Sequence, residues 1–200
     1  MRVHLVCGAN VLDGWVNIDI QSNDPRIIAG DVSSLDEVIE DGSASQIYAC
    51  HVFEHVARAF QVPVLAHWLS KLEPGGACFI AVPDFGYVVG EYVRALGAGE
   101  QWWAPDKFII SSLMGGFDDG SEDEFNHHKS LFDFVHLEHL MVSAGFVGVR
   151  RYQVSEMGFD PQDHSTRALS LNVVGYRSEA PVTRTRGSVL SRLSKRLHRG

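Results

Sequence analysis

One stretch of the chain limits the fold more than any other, because it contains two apolar runs separated by an amphipathic segment. Gln46–Cys50 and Ala77–Val82 consist mainly of the aromatic, β-branched and small apolar residues that favour buried strands. Between them, Ala57–Leu72 has apolar side chains at helical spacing, and LEPGG at 72–76 ends this helix and turns the chain into the next strand. Two strands joined by a helix lie parallel in one sheet, so the sequence predicts an α/β fold.

The remaining patterns extend this unit on both sides. Further strands are predicted at Arg2–Cys7, Trp15–Ile20, Val147–Val154 and Ala168–Tyr176, and further helices at Gly86–Leu96, Lys107–Met114 and Leu131–Ala144. The acidic, glycine-rich residues 115–125 are expected to form a loop. The expected architecture is a Rossmann-like, doubly wound and mostly parallel sheet that ends in an antiparallel strand pair.

The first connection of this sheet is unusually short. Parallel neighbours normally need a crossover of a dozen or more residues, and the segment from Gly8 to Trp15 leaves no room for a helix of useful length. The first crossover is therefore abbreviated to a bare loop, or the first two strands are not parallel neighbours.

Length and charge limit the class of protein. A chain of 200 residues with 45% hydrophobic side chains has the size of one globular domain, which we assign to residues 1–178. Residues 179–200 form a basic tail, either disordered or an amphipathic helix, that allows weak contact with an anionic membrane surface. Because residues 180–200 carry six basic side chains and no acid, the net charge of -8 becomes -14 without them. Nucleic-acid binding by such an acidic domain is not expected.

The sequence also indicates where the protein functions. No stretch approaches the roughly 20 apolar residues that a membrane helix requires, and the N-terminus lacks a secretory signal, so a cytoplasmic protein is expected.

Cys7, Cys50 and Cys78 are odd in number and widely spaced, which favours free thiols over disulfides or a metal knuckle. No metal site is predicted, since the histidines of His136–His139 are too close together for an HExxH zinc motif.

Polar residues and glycines follow several of the predicted strands. Open α/β sheets bind ligands at the carboxyl ends of their strands. Asp19 can accept two hydrogen bonds from a ribose diol, and Gly8 allows close approach of the backbone to a ligand. This pair fits a nucleoside, although Asp19 could equally cap a loop. The pattern G-x-G-x-x-G is absent because Val6 occupies its first position, which disfavours a nicotinamide dehydrogenase.

Five motifs follow one another in a recognisable order. They are VCGANVLDGWVNIDI, AGDV, SQIYACHVFEHV, LEPGGACFIAVPDF and, after LMGGFDD, the stretch HHKSLFDFVHLEHLMVSAGFVGVR. From about residue 3 to residue 176, this set resembles class I S-adenosylmethionine-dependent methyltransferases, and in particular a compact bacterial group associated with glycan assembly. That group often reaches its second strand through a short loop ending in GW-[VI]-N-[VI]-D, so the resemblance implies the short first connection.

The resemblance implies S-adenosylmethionine as the cofactor and places its site at the strand ends. Gly8 and neighbouring backbone would line the methionine portion, and Asp19 would hold the ribose hydroxyls. Asp31 would approach the adenine amine, with Val32 beside the ring, whereas His51 would face the methionine end. The full set of implied cofactor-binding residues is Cys7, Gly8, Asp19, Ile20, Asp31, Val32, Cys50 and His51.

The implied activity is direct in-line methyl transfer to an oxygen of a sugar or glycan intermediate. Such a transfer needs proximity, a desolvated pocket and a general base for a hydroxyl acceptor. His128, His51 and Glu54 are the predicted catalytic residues, and His128-Lys129 matches the HK that follows the family's glycine-rich loop. The alternatives are that Glu54 caps a helix, that His51 only lines the pocket and that His128 lies on a surface loop. The alternative function is a non-catalytic cofactor-binding module that regulates or scaffolds a glycan-assembly complex.

Overall fold

The computed structural model describes residues 1–5, 10–20, 23–104, 109–115 and 127–179. The strands are β1 (Arg2–Leu5), β2 (Val16–Asp19), β3 (Ile27–Ala29), β4 (Ala44–Cys50), β5 (Leu72–Pro83), β6 (Val147–Arg151) and β7 (Ser170–Tyr176). The α-helices are α1 (Gln61–Lys71), α2 (Phe85–Gly97), α3 (Ile109–Met114) and α4 (Phe134–Ala144). Within these ranges no helix has both the length and the apolar character needed to cross a membrane. The predicted basic tail from residue 180 onwards lies outside the described residues.

The described strands form a single sheet in the order β3-β2-β1-β4-β5-β7-β6. Five neighbouring strands, from β3 to β5, are parallel, while β7 runs antiparallel to both β5 and β6. This arrangement confirms the predicted α/β sheet with its terminal antiparallel pair. It also decides the question of the first connection, because β1 and β2 are direct parallel neighbours with Val3 opposite Val16. The first crossover is therefore abbreviated, and its described part, residues 10–15, contains no helix.

Two element boundaries differ from the predicted ones for identifiable reasons. Helix α1 starts at Gln61 instead of Ala57, and the 3₁₀ turn Arg58–Phe60 precedes it. Pro63 explains this start, because proline fits only the first turn of an α-helix. At the other end of the helix, LEPGG already belongs to β5: Leu72 pairs with Ala44, and the register then shifts across a bulge. Gly75 allows the bulge by adopting a φ of 79°.

The two faces of the sheet are covered in different ways. On one face, α1 and α4 pack into the main hydrophobic core, which includes Val64, Leu65, Trp68, Leu137, Met141, Ile47 and Ile80. On the other face, a second cluster is built from strand side chains, the β1–β2 loop and the 3₁₀ turn Val154–Met157. Trp15 from that loop lies 4.5 Å from Phe159 and 6.5 Å from Tyr48, measured between ring centroids. Loop aromatics thus cover the sheet beside the abbreviated crossover.

The side chain of Asn17 holds the β1–β2 loop in place. Asn17 is buried in β2, and its Oδ1 accepts a hydrogen bond of 3.0 Å from the backbone N–H of Leu12. Its Nδ2 donates to the carbonyl oxygens of Leu12 (3.0 Å) and Trp15 (3.1 Å). The same Oδ1 lies 3.1 Å from Nδ1 of the buried His4. One amide therefore satisfies three backbone groups of the β1–β2 connection, whose described part, residues 10–15, contains no helix or strand.

We expect Asn17→Ala to reduce the free energy of unfolding by about 2–4 kcal/mol, because it leaves several buried backbone groups without partners. Urea unfolding followed by circular dichroism measures this loss. Asn23→Ala, which removes the same amide from an exposed position, is the matched control and should change stability by less than about 0.5 kcal/mol. Equal stabilities for the two variants would contradict the role assigned to Asn17.

Candidate active site

A cavity of about 640 Å³ opens beside the carboxyl ends of β2, β3 and β4. It brings together three of the predicted cofactor-binding residues, Ile20, Asp31 and Val32. His55 and Lys129 line the same cavity. Such a volume lies within the range of pockets that hold nucleoside-sized ligands. Two of the other predicted cofactor contacts, Cys7 and Gly8, lie outside the described residues. The remaining three lie at strand ends: Asp19 at the end of β2, and Cys50 and His51 at the end of β4.

The backbone around the predicted nucleoside contacts is fixed by the core. Asp19 is the last residue of β2 and is buried, and its carbonyl oxygen accepts a 3.0 Å hydrogen bond from the N–H of Gly30. Trp68 of α1 donates from its indole Nε1 to the carbonyl oxygen of Val32 at 2.8 Å. The segment that follows β3 is thereby tied both to β2 and to the helix beneath it.

His51 immediately follows β4 and has a strained backbone, with a φ of 54°. Its Nε2 lies 2.9 Å from Ser170 Oγ, which donates its own proton to the carbonyl oxygen of His164 at 2.6 Å. His51 Nε2 must therefore be the donor to Ser170, which leaves Nδ1 as the acceptor in the neutral ring. Burial, reinforced by the nearby His164 and His128, lowers the pKa of His51 to about 3, so the ring is neutral at pH 7.

Glu54 lies at the centre of the site, in the 3₁₀ turn Phe53–His55. Its side chain is only 1% exposed, and neither carboxyl oxygen has a hydrogen-bond partner among the described residues. Oε1 lies 3.6 Å from Nδ1 of His51 and 3.8 Å from Nε2 of His128. Burial raises the pKa of Glu54 to about 8, so the carboxyl group is largely protonated at neutral pH in the absence of a bound cation.

His128 is brought to Glu54 by the backbone of the segment that contains it. The N–H groups of Lys129 and Ser130 both donate to the carbonyl oxygen of Glu54, at 2.8 and 3.2 Å. Gln61, buried at the start of α1, donates from Nε2 to Ser130 Oγ at 2.6 Å. The ring of His128 is only 9% exposed, donates from Nδ1 to the carbonyl oxygen of Ser112, and has a pKa that burial lowers. A segment far along the chain therefore becomes one wall of the site.

The structure places all three predicted catalytic residues in one group. Glu54 lies seven positions before the start of α1, whose N-cap is Phe60, so it does not cap that helix. His128 is nearly buried, so it is not a surface-loop side chain. His51 lies beside them after the end of β4, with Nδ1 3.6 Å from Oε1 of Glu54. Sequence patterns give no signal for Ser170 and Gln61, which orient this group from β7 and α1.

The buried carboxyl of Glu54 predicts a pH dependence of stability. A group whose pKa is raised in the folded state binds more protons there, so stability falls as the pH rises between the two pKa values. For Glu54 this window runs from its ordinary value of 4.5 to about 8. We expect wild type to lose about 5 kcal/mol relative to Glu54→Gln across this window, with no further change at higher pH.

Urea unfolding of both proteins at a series of pH values, with a chelator present, measures this difference. Comparing the two proteins at each pH cancels the opposite contribution of the buried histidines. A difference in stability that does not vary with pH would show that the carboxyl of Glu54 is already ionised in the folded protein.

Comparisons of the sequence with known families and proteins give no match. No family model matches the chain, and no curated protein matches it. Any assignment therefore depends on the fold and on the residues of the site.

Solved structures give a consistent result for the fold. An S-adenosylmethionine-dependent methyltransferase from Archaeoglobus fulgidus superposes with a TM-score of 0.54 at 11% identity, covering 88% of this chain and 85% of that one. A second such methyltransferase, from Thermotoga maritima, has a TM-score of 0.51 at 13% identity and covers 88% and 82%. The CurJ carbon methyltransferase has a TM-score of 0.53 at 10% identity and covers 88% of this chain and 48% of its own.

These neighbours define the architecture. The chain has the class I fold of S-adenosylmethionine-dependent methyltransferases, with the mostly parallel sheet and the antiparallel β7 that the sequence predicts. At identities of 10–13% the likeness concerns the fold and not the acceptor. The glycan acceptor implied by the sequence motifs receives no support from these structures.

Proposed function

We propose that this protein is an S-adenosylmethionine-dependent methyltransferase that methylates an oxygen of a sugar or glycan intermediate. The observation that carries the proposal is the coincidence of the methyltransferase fold with a cavity at the ends of the parallel strands. Next to that cavity lies a buried group of histidines and a glutamate. The oxygen acceptor is proposed from the sequence motifs and from this group, which offers bases suited to a hydroxyl.

The cofactor is proposed to lie along the ends of β1 to β4. Asp19 would accept hydrogen bonds from the ribose hydroxyls, and Asp31 and Val32 would contact the adenine from the cavity wall. Cys50 would contribute an uncharged side chain to the wall of the cofactor site, because burial raises the pKa of its thiol and keeps it protonated. Cys7 and Gly8, which lie outside the described residues, are proposed to complete the methionine end.

The transfer is proposed to use His128 as the base. The acceptor hydroxyl gives its proton to Nε2 of His128, and its oxygen attacks the methyl carbon of the sulfonium. When bound, S-adenosylmethionine would supply the methyl group, and its sulfur would keep the electron pair of the broken carbon–sulfur bond as a neutral thioether. His51 is the weaker base of the two, since its pKa of about 3 disfavours uptake of a proton.

Calorimetry and thermal unfolding with S-adenosylmethionine and its demethylated product test cofactor binding directly. At a hundred times its dissociation constant, a ligand stabilises the folded protein by about 2.7 kcal/mol. Absence of both heat and stabilisation would contradict the proposal. Binding without demethylated product in the presence of nucleotide sugars or lipid-linked glycans would favour the non-catalytic module.

Asp19→Ala is expected to weaken cofactor binding at least tenfold, because it removes charge-assisted hydrogen bonds worth about 1.5–3 kcal/mol each. Calorimetric dissociation constants for both variants and wild type measure the effect. Asp13→Ala, which removes the same carboxylate from an exposed position in the preceding loop, is the control and should bind like wild type. If Asp19→Ala binds the cofactor as tightly as the control, the ribose assignment is wrong.

His128→Ala is expected to lower turnover by about 10²–10⁴-fold, the usual contribution of a general base, while the cofactor affinity stays within twofold of wild type. Single-turnover assays and calorimetry separate the two quantities. His139→Ala, on the exposed side of α4, is the matched control. Unchanged turnover in His128→Ala would remove this residue from the proposed mechanism.

A further inference from the structure

Three metal-binding side chains converge beside the cavity, and we refer to them as the Glu54–His55–His128 cluster. One ligand atom from each residue lies within 4.8 Å of the other two. Two of the three come from the same 3₁₀ turn, and the third comes from the segment that hydrogen-bonds to that turn. The cluster is thus assembled by the fold and does not depend on an exposed acidic patch.

Hydrogen bonds determine which ring nitrogen of each histidine carries the proton, and the resulting tautomers are those common in metal sites. Nδ1 of His55 lies 3.0 Å from the carbonyl oxygen of His127, and Nδ1 of His128 lies 2.9 Å from that of Ser112. A carbonyl oxygen can only accept, so each Nδ1 carries the proton and each neutral ring has its lone pair on Nε2. Metal-bound histidines characteristically donate their second nitrogen to a backbone carbonyl in this way.

Glu54 supplies a second and independent observation. Its side chain is 1% exposed, and both oxygens lack a hydrogen-bond partner among the described residues. The groups that face Oε1 are Nδ1 of His51 at 3.6 Å and Nε2 of His128 at 3.8 Å, and both are acceptors in the neutral rings. A buried carboxylate surrounded by acceptors is unfavourable unless a proton or a cation lies between them.

We propose that Glu54, His55 and His128 bind one divalent transition-metal ion, with Zn²⁺ as the best fit. Two imidazoles and one carboxylate suit Zn²⁺, whereas Mg²⁺ and Ca²⁺ take oxygen ligands. Zinc ligands lie about 2.0–2.2 Å from the ion, so the three ligand atoms, which lie within 4.8 Å of one another, would have to move closer together to bind it. Three protein ligands leave a further coordination position for water or substrate.

The location of the cluster gives the ion a role that rests on the proposed methyl transfer. His55 lines the cavity together with Lys129, so an ion held by the cluster would lie beside the space proposed for the reactants. Such an ion would act as a Lewis acid that makes an acceptor hydroxyl more acidic, so that the hydroxyl would release its proton to solvent as its oxygen takes the methyl group and the carbon–sulfur electron pair stays on sulfur. In this form of the reaction the ion replaces His128 as the activating group, and His128 becomes a ligand.

The test is metal binding by the full chain after treatment with a chelator. Calorimetry with Zn²⁺ is expected to give one site per chain, and Co²⁺ is expected to give the visible absorption bands of a low-symmetry site. Glu54→Gln and His128→Ala should each weaken the Zn²⁺ affinity at least tenfold and abolish the Co²⁺ bands. His139→Ala, which removes an exposed histidine, should leave both unchanged. Circular dichroism confirms that each variant is folded.

Binding of S-adenosylmethionine by the same samples separates this inference from the proposed function. Cofactor binding without a Zn²⁺ site, or with equal Zn²⁺ affinity in wild type, Glu54→Gln and His128→Ala, would overturn the metal site alone. A Zn²⁺ site that is lost in both variants, in a protein that does not bind the cofactor, would support the metal site and overturn the methyltransferase.

Discussion

The amide of Asn17 is the contact on which the rest of the fold depends. A parallel pair of strands normally includes a helix that covers the sheet and satisfies its own backbone groups. In this chain the described part of the first crossover, residues 10–15, contains no helix, so its buried N–H and C=O groups need partners, and Asn17 satisfies three of them. Trp15 covers the sheet there instead, packing at a tilted angle against Phe159 and edge-on against Tyr48. With β2 fixed in this way, Asp19 reaches the same edge of the sheet as the end of β4.

In the candidate site, Glu54 is the residue that holds the other parts together, through both its backbone and its side chain. Its carbonyl oxygen holds the N–H groups of Lys129 and Ser130, and its carboxyl group lies between His51 and His128. The geometry is therefore set by a 3₁₀ turn and a distant segment that bind each other. Such a site is preorganised by main-chain hydrogen bonds, which cost nothing further when a ligand enters.

The sequence was sufficient for most of the architecture and for three residues of the site, although it did not predict β3. Alternating strand and helix patterns predicted the parallel sheet, and ordered motifs selected His51, Glu54 and His128 before their contacts were known. It could not predict the contacts that orient them, since Ser170 and Gln61 are ordinary polar residues whose roles depend on β7 and α1 being adjacent. It also predicted no metal site, because Glu54-His55 and His128 are over 70 positions apart and match no zinc spacing.

The backbone conformation of His51 affects which amino acids can replace it. A histidine held at a φ of 54° is less stable in that conformation than glycine or asparagine would be, by about a kilocalorie per mole or more. Random mutagenesis selected only for folding yield should therefore enrich small, flexible or amide residues at position 51. Selection for activity should return histidine. The composition recovered at this one position would report whether the imidazole is retained for function or merely tolerated by the fold.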